Sequence, residues 1–257
     1  MKEKEICWNI TARCNQNCKY CHRFLNIKDL SIEENVFILE ELKKAGVKCI
    51  TWTGGEALLL NGIDELLEKA YMIGIKNKII TNGKLLTKER IDKIYKYLDS
   101  ITLSIDSIDN EINESLGRGK NHFQEVKNIL DYIKFKNYDV KIRINSVICK
   151  YNITDINNLV KFLNEYNIYS WRIFKFMPLR EKAIVNQNMF NISLNRYNEV
   201  VKNIKLTSNI KNIDTRIEED MEKKYILILA NGDIVITDKG KDKIVGNALV
   251  NSICEFI

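Results

Sequence analysis

The segment Cys14-Asn-Gln-Asn-Cys18-Lys-Tyr-Cys21 follows an apolar stretch, Ile6-Cys-Trp-Asn-Ile10, that is typical of a β-strand. Thiols at this tight spacing cannot surround a metal from one regular helix or strand, so the segment is predicted to be a loop wrapped on a metal centre. A cubane iron–sulfur cluster is held by cysteine thiolates, normally four. With three thiolates one iron keeps an open position. The spacing therefore predicts a reactive 4Fe-4S cluster on Cys14, Cys18 and Cys21.

The cysteine content shows how specific this motif is. Seven cysteines in 257 residues give the triplet a chance expectation of about 0.005. One alternative stays open: His22 could complete a zinc tetrahedron, which would make the protein a structural or regulatory metal binder. The remaining cysteines are scattered, mostly in apolar runs, and are predicted to be small buried hydrophobes: Cys7, Cys49, Cys149 and Cys254.

Composition indicates a globular protein of the reducing cytosol. A chain of 257 residues can bury a core as one large domain or two small ones. Because it shows neither a signal peptide nor a membrane-length apolar run, and its cysteine count is odd, we expect a cytoplasmic protein without a membrane partner. The net charge of +6 is spread along the chain. This favours a solvated lysine-rich surface over a nucleic-acid site, and it also suits a phosphate-bearing small substrate.

Strand and helix patterns alternate from the first strand to residue 177. Helical stripes separate the strands, and the first opens on the capping box Ser31-Ile-Glu-Glu34. A full eight-fold barrel typically needs about 250 residues, so six units predict an α/β fold, a partial (βα)6 TIM-type barrel over residues 1–180. The later strands are predicted at 47–53, 75–81, 100–106, 140–149 and 169–177.

Residues 181–257 are predicted to form an extension that closes the substrate side of the barrel. A helical pattern spans Ser193 to Ile204. Two apolar runs flank Asn231-Gly232, which is a strong signal for a β-hairpin with a type I′ turn. The chain then closes with an apolar, helix-like run to Ile257. A hairpin here would add antiparallel strands at the open side of the barrel.

Polar or glycine-rich segments lie at the C-terminal ends of four of the predicted strands. They are the cysteine loop, Gly54-Gly55-Glu56, Asn82-Gly83 and Ser104-Ile-Asp-Ser107. In folds of this type the active site lies at the C-terminal ends of the strands. These segments are therefore predicted to share one rim and to form the functional site.

Over residues 5–177 the chain resembles the radical S-adenosylmethionine enzyme superfamily. Cys14-x3-Cys18-x2-Cys21 is similar to the family's cluster loop, and Thr53-Gly-Gly-Glu56 is similar to the segment that holds the methionine amine of the cofactor. Ala57 departs from the family, which usually has Pro at that position. The resemblance implies a 4Fe-4S cluster, S-adenosylmethionine, and cofactor contacts through Tyr20, Gly54, Gly55, Glu56, Asn82 and Ser104.

The resemblance also implies the reaction chemistry. The amine and carboxylate of S-adenosylmethionine would chelate the open iron, and one electron from the reduced cluster would cleave the sulfonium. The resulting 5′-deoxyadenosyl radical would abstract hydrogen from the substrate. An electron donor such as flavodoxin or ferredoxin is therefore an expected partner.

Within the superfamily the chain looks most like the viperin family of antiviral enzymes, which dehydrate nucleoside triphosphates. The similar segments are Ser104-Ile-Asp-Ser107, Leu116-Gly-Arg-Gly119, Arg143-Ile-Asn-Ser-Val-Ile148, Trp171-Arg-Ile-Phe174 and Met221-Glu-Lys-Lys-Tyr225-Ile-Leu-Ile-Leu229. The resemblance implies that Arg118 helps to hold the cofactor carboxylate. It also implies that Arg143, Asn145 and Arg172 face the triphosphate, and it places Tyr225 near the ribose as a catalytic residue. The implied product of a ribonucleoside triphosphate is a 3′-deoxy-3′,4′-didehydro nucleotide.

The viperin pattern is not matched everywhere. Viperin has Lys where this chain has Arg143, a basic residue in place of Ser170, and Gly-Glu-Asn in place of Leu179-Arg-Glu-Lys182. The stretch from Trp171 to Leu179 is equally similar to GTP 3′,8-cyclase. That enzyme has a second set of cysteines in its C-terminal part, and this sequence lacks them. Another small molecule, or a peptide, therefore stays open as the substrate. Structural alternatives are salt-bridged strand positions for Arg143 and Arg172, and a packed aromatic for Tyr225.

Overall fold

One β-sheet organises the fold of this protein, whose computed structural model describes residues 4–221, 226–238 and 241–256. Its strands are β1 (Glu5–Thr11), β2 (Cys49–Gly54), β3 (Lys76–Thr81), β4 (Ser100–Ser104), β5 (Lys141–Ile148), β6 (Ser170–Lys175), β7 (Ile213–Arg216), β8 (Leu227–Ile228), β9 (Asp233–Asp238) and β10 (Lys241–Asn247). The helices are α1 (Ile32–Lys44), α2 (Ile63–Met72), α3 (Lys88–Ile94), α4 (Asn110–Leu116), α5 (His122–Lys136), α6 (Ile156–Leu163), α7 (Glu181–Val185), α8 (Gln187–Phe190) and α9 (Leu194–Thr207). Short 3-10 helices lie at Ala57–Leu59, Tyr95–Tyr97, Glu218–Met221 and Ile253–Glu255.

The strand order across the described part of the sheet is β10-β9-β8-β1-β2-β3-β4-β5-β6-β7. Neighbouring strands from β1 to β7 are parallel, and β8 also runs parallel to β1. Strand β9 is antiparallel to both β8 and β10. Parallel neighbours in chain order need crossover connections, and helices supply them here. This arrangement confirms the predicted α/β fold, a parallel sheet of the partial-barrel type.

The two faces of the sheet differ in polarity, and β5 shows the difference. Ile142, Ile144 and Ile148 are buried, whereas Arg143 and Asn145 between them are only half-buried. Successive strand residues point to opposite faces, so the isoleucines meet the helices and the polar side chains line the inner face. The apolar core therefore lies between sheet and helices, which leaves the inner face to carry a polar site.

Two tryptophans anchor the core beneath the first strands. Trp8 of β1 lies opposite Trp52 of β2, and their rings stack with centroids 5.1 Å apart. Both are fully buried, and Nε1 of Trp52 donates to Oδ1 of Asn77 at 2.8 Å. Burial of a large apolar side chain contributes about 1.5–3 kcal/mol. This packing fixes the two strands whose C-terminal ends carry the cysteines and the glycine pair.

The predicted capping box forms at the start of α1. The backbone N–H of Glu34 donates to Oγ of Ser31 at 3.2 Å, and the backbone N–H of Ser31 donates to the Glu34 carboxylate at 2.8 Å. Each bond satisfies a donor that the first helical turn leaves open. The chain is thereby turned from the cysteine loop into its first crossover helix.

The C-terminal hairpin is confirmed, but its turn differs from the prediction. Strands β8 and β9 pair antiparallel, and Gly232 has the positive φ of +84° that the turn requires. Asn231 does not share this conformation, so the turn is not type I′. Instead Gly232 N–H donates to Leu229 O at 2.9 Å and Leu229 N–H donates to Asp233 O at 2.8 Å. This is the pattern of a three-residue loop that ends in a left-handed glycine.

The second half of the chain differs from the prediction in the C-terminal run, in one additional strand and in the exposure of one cysteine. The helix-like run at the C-terminus is mostly strand β10, followed by the single turn Ile253–Glu255. Strand β7 was not predicted, because its four residues, Ile-Asp-Thr-Arg, mix polar and apolar types. Cys254 is exposed rather than buried, since it lies in that terminal turn, whereas Cys49 and Cys149 are buried as expected.

Across the described ranges, no helix is long and apolar enough to cross a membrane.

Candidate active site

The loop that carries the three cysteines begins where β1 ends, and Asp29 holds its first residues. Asp29 Oδ2 accepts from Thr11 Oγ1 at 2.7 Å and from Arg13 Nε at 2.8 Å. Its Oδ1 accepts from the backbone N–H of Ala12 at 3.1 Å. A carboxylate with three donors fixes backbone direction strongly. Sequence reasoning missed Asp29 because it lies beyond the cysteine motif and has no pattern of its own.

The glycine pair after β2 is required by close contact with the same loop. The N–H of Gly55 donates to Thr11 O at 2.7 Å, and the N–H of Glu56 donates to Arg13 O at 2.8 Å. A Cβ at Gly54 would lie 2.2 Å from Thr11 O, and one at Gly55 would lie 2.1 Å from Arg13 O. No side chain fits at these distances. The Gly-Gly-Glu segment therefore packs its backbone directly against the start of the cysteine loop.

Glu56 and Asn82 connect the ends of β2 and β3 to the loop. The Glu56 side chain is buried and accepts from Thr81 Oγ1 and from the N–H of Asn82, each at 2.7 Å. Burial raises the pKa of this carboxyl, and the hydrogen bonds act against the rise. The amide of Asn82 donates to Asn15 Oδ1 at 2.8 Å and approaches Cys14 Sγ at 3.8 Å. Two predicted cofactor residues thus lie against the cluster loop.

On the other side of the loop, Asp106 joins Tyr20 to Arg118. The Tyr20 hydroxyl and Nε of Arg118 both donate to Oδ2 of Asp106, and the N–H of Val147 donates to Oδ1 at 2.7 Å. Asp106 is fully buried, and 8% of the Arg118 side chain is exposed. Asp106 belongs to the motif Ser104-Ile-Asp-Ser107, but no role could be predicted for it from the sequence. The available signal was an acidic residue just after a strand, next to Ser107.

The buried ion pair of Arg118 and Asp106 determines the net charge beside Cys18. Burial raises the pKa of Tyr20 well above its usual value, so the phenol stays protonated and donates. Burial acts against the charge on Arg118, but the Asp106 carboxylate, together with Tyr20 and Cys18, leaves the pKa of Arg118 well above its usual value. The structure therefore presents a permanent guanidinium whose charge is balanced by Asp106.

A second buried chain of hydrogen bonds runs through His122. Nε2 of Gln16 lies 3.1 Å from Nδ1 of His122, and Nε2 of His122 lies 2.8 Å from Ser104 O. A carbonyl oxygen can only accept, so the imidazole must donate from Nε2 and accept at Nδ1. Gln16 also accepts from Nη1 of Arg118 at 3.2 Å. Ser104, Arg118 and the cysteine loop are therefore held in one network.

Two further segments hold the loop from outside. After α4, the N–H groups of Asn17 and Lys19 donate to Gly117 O at 3.2 Å and Leu116 O at 3.0 Å. A Cβ at Gly117 would lie 2.4 Å from Asn17 O, so this glycine is also a close-approach residue. From α7 and its end, Lys182 donates to Asn17 Oδ1 and Asn186 donates to Lys19 O at 3.0 Å. The loop is thus clamped between distant parts of the chain.

The three thiols fit a shared metal cluster. Burial raises the pKa of Cys14, and it raises the pKa of Cys18 to about 11. Gln16 contacts both side chains, since its N–H lies 3.4 Å from Cys14 Sγ and its Oε1 lies 3.7 Å from Cys18 Sγ. The N–H of Cys21 donates to Cys18 O at 3.3 Å. Among the described residues no three Cys, His, Asp or Glu side chains converge tightly enough to hold one ion. A cubane does not need that convergence, because each thiolate binds a separate iron. His22 lies beside Arg180 and Asp242, and burial with the Arg180 charge lowers its pKa to about 4.

The predicted substrate residues lie on the inner face of the sheet. Asn145 of β5 is opposite Arg172 of β6, and Arg172 is opposite Asp214 of β7, so the three share that face. Asp214 accepts from Arg172 Nε and from Arg216 Nη2, each at 2.8 Å. The salt-bridged alternative therefore describes Arg172 correctly in this structure. Arg216 is a cation of this face that sequence reasoning missed, because β7 itself was missed.

Arg143 stands one step down the same face. Its Nη1 lies 3.4 Å from Ser170 Oγ, and its guanidinium sits 4.7 Å from the centre of the Tyr169 ring. Nε of Arg143 and Nε of Arg216 are both buried and have no hydrogen-bond partner in the described residues. The predicted catalytic residue Tyr225 lies outside the described residues.

Comparison with known proteins identifies the family of this chain. The Radical SAM superfamily profile matches residues 8–163. A protein of Flammeovirga pacifica named S-adenosylmethionine-dependent nucleotide dehydratase is 31% identical over 84% of this chain and 76% of its own length. A protein of the same name from Lacinutrix mariniflava is 28% identical over 88% of this chain and 49% of its own length. The chain thus spans about half the length of that second relative.

The fold is also found among solved structures. SuiB of Streptococcus suis, crystallised with S-adenosylmethionine and with its precursor peptide SuiA, matches with a TM-score of 0.74 and 22% identity. The match covers 98% of this chain and 64–65% of SuiB, so the chain spans less than two thirds of that protein. This chain belongs to the radical S-adenosylmethionine superfamily. It is an enzyme of the class that uses a 4Fe-4S cluster and S-adenosylmethionine.

Proposed function

We propose that this protein is a viperin-like nucleotide dehydratase, which removes water from a ribonucleoside triphosphate to give a 3′-deoxy-3′,4′-didehydro nucleotide. The relatives named nucleotide dehydratase support the reaction type. The partners in this proposal are the nucleoside triphosphate and a one-electron donor such as flavodoxin or ferredoxin, in the cytoplasm. When bound, S-adenosylmethionine and the reduced cluster supply the one-electron chemistry that removes a hydrogen atom from the substrate.

The observation that carries the proposal is the set of arginines on the inner face. Arg143, Arg172 and Arg216 come from three adjacent strands, and register places them on one side of the sheet. Two of them keep a buried Nε–H without a partner, which is costly unless a ligand accepts the bond. Guanidinium groups donate in pairs to phosphate oxygens. A triphosphate is the substrate group that suits these unused donors.

The remaining residues would position the nucleotide and the cofactor. Before the nucleotide binds, the Asp214 carboxylate accepts hydrogen bonds from both Arg172 and Arg216. In the complex, phosphate oxygens would replace this carboxylate as the acceptor. Asn145, opposite Arg172, offers an amide to the same ligand. On the rim, Glu56 and Arg118 would bind the amino-acid end of S-adenosylmethionine, as the family resemblance implies. Tyr225 remains the predicted ribose-side catalytic residue.

The test is anaerobic turnover of the reconstituted enzyme with S-adenosylmethionine and dithionite, with each ribonucleoside triphosphate supplied separately. One triphosphate should strongly raise 5′-deoxyadenosine and should itself lose the mass of water. The R172A variant should abolish that increase. R196A is the matched control, because Arg196 is an exposed arginine paired with Glu199 on α9. Slow cleavage at the same rate in every tube would reject the nucleotide proposal and leave the enzyme class standing.

A further inference from the structure

Arg23 is half-buried and carries two buried N–H donors that no described residue accepts. It lies two residues after Cys21, on the segment that leaves the cluster loop. Its Nε and Nη1 are both buried and have no hydrogen-bond partner in the described residues. No carboxylate of the described ranges forms an ion pair with it, in contrast to Arg118, which is paired with Asp106. A buried N–H donor without an acceptor is costly, so the position calls for a ligand that accepts hydrogen bonds.

The position of Arg23 in the chain links these donors to the cysteine site. Cys21, two residues earlier, donates its N–H to Cys18 O at 3.3 Å, and the N–H of Gln16 lies 3.4 Å from Cys14 Sγ. The segment that carries the three thiols is therefore compact, and Arg23 follows it directly. Its Nε–H and Nη1–H remain without an acceptor in the described part of the chain.

Arg118 also contacts the cysteine segment, because its Nη1 donates to Gln16 Oε1 at 3.2 Å. The charge of Arg118 is already balanced by Asp106. Arg23 differs from Arg118 in that no carboxylate of the described residues pairs with it.

We propose that Arg23 is the counter-charge of the 4Fe-4S cluster, donating Nε–H and Nη1–H to its sulfur atoms and favouring the reduced form. A cubane on three thiolates is an anion, and reduction adds one negative charge. Cluster potentials respond to net charge and to hydrogen bonds at sulfur. In the step that Arg23 favours, one electron enters from an external one-electron reductant such as dithionite, while no covalent bond forms or breaks.

The test compares the midpoint potential of the cluster in wild type, R23M and R23K. Each protein is reconstituted anaerobically, checked for iron and sulfide, and titrated with dithionite under EPR, without S-adenosylmethionine or nucleotide. R23M should lower the equilibrium constant for reduction at least tenfold, which is about 59 mV for a one-electron couple. R23K keeps the charge but loses the planar fork, so its shift should be smaller. The matched control is K19M, which removes an exposed charge from the same loop and should shift the potential little because water and salt screen it.

Two results would overturn the inference. The first is a fully loaded R23M protein with the wild-type potential, and the second is a K19M shift as large as that of R23M. If R23M does not retain the cluster, R23Q replaces it, and a loaded R23Q protein at the wild-type potential would reject the inference. Because no nucleotide is present, the result stands whether or not the nucleotide dehydratase proposal is correct.

Discussion

Nδ1 of His122 accepts a hydrogen bond from Nε2 of Gln16 at 3.1 Å, and this contact joins the first turn of α5 to the loop that carries the cysteines. The two residues are 106 positions apart in the chain. His122 is 1% exposed, and its Nε2 donates to Ser104 O at 2.8 Å. A neutral histidine is thus a structural member of the cluster environment rather than a titrating surface group.

The first prediction concerns pH. Burial, followed by the charge of Arg118, lowers the pKa of His122 to about 3, against about 6.5 in an unfolded chain. The unfolded state therefore takes up the proton first. As pH falls from about 6.5 toward 3, the free energy of unfolding should decrease, by up to about 1.4 kcal/mol per pH unit from this residue.

Urea denaturation of the apo protein at several pH values measures this effect. The non-titrating H122Q variant should show a shallower decrease between pH 6.5 and 4 than wild type. Asp106 and Lys84 also face the imidazole, and both remain in the two proteins. His22, whose pKa is lowered to about 4 by burial and by Arg180, contributes equally to both. Identical slopes in the two proteins would refute the prediction.

The second prediction concerns the close approach of Gly55 to the loop. G55A would place a Cβ 2.1 Å from Arg13 O, so the loop must shift. We expect a loss of about 3 kcal/mol in the free energy of unfolding and reduced iron uptake. G46A is the control: Gly46 has φ +81° and nothing within 4 Å of an added Cβ. It should lose only about 1–2 kcal/mol and should bind iron normally. Equal iron content in the two variants would count against the contact.

The third prediction separates the buried ion pair from its parts. D106N leaves the Arg118 guanidinium buried without an anion, and such changes cost about 3–5 kcal/mol. The double variant D106N/R118M should be more stable than D106N alone, because it removes the stranded charge. Urea denaturation of wild type, D106N, R118M and D106N/R118M gives the double-mutant cycle. E111Q, which breaks the exposed Lys120–Glu111 pair, should cost no more than about 1 kcal/mol. An additive cycle would show that the pair is not coupled.

The fourth prediction concerns the missed cation of β7. R216M removes a guanidinium from the inner face, and we expect the preferred triphosphate to bind at least about tenfold more weakly, or about 1.4 kcal/mol. Calorimetric titration of the oxidised enzyme measures this without turnover. R196M is the control, since Arg196 is exposed on α9. Wild-type affinity in R216M would exclude Arg216 from the triphosphate site.

Much of the fold could be predicted because its signals are local. The alternation of β5, the capping box at Ser31 and the spacing of the three cysteines each lie within one short window. Short sequence segments of this kind indicate which face of a helix or strand is exposed to solvent and where a helix begins. They identified six parallel strands and a loop beside them. The roles of the cofactor and substrate residues stay predictions that follow from family resemblance.

The missed features depend on contacts between distant residues. Asp106 binds Tyr20, 86 positions away, and Arg118, 12 positions away, so no window contains the network. Strand β7 is only four residues long and is recognised by its pairing with β6. The exposure of Cys254 likewise depends on a terminal turn rather than on its neighbours' hydropathy.

Local sequence patterns therefore specify the six strands β1 to β6, the longer helices and the cysteine loop, because each needs only its own backbone and its nearest neighbours. Partner choice requires three-dimensional packing. The buried charges on Arg118 and Asp106 are the clearest case, since the energy of a buried ion depends on which opposite charge the fold brings within reach. Packing alone paired Arg118 with Asp106 and left the donors of Arg23 open among the described residues.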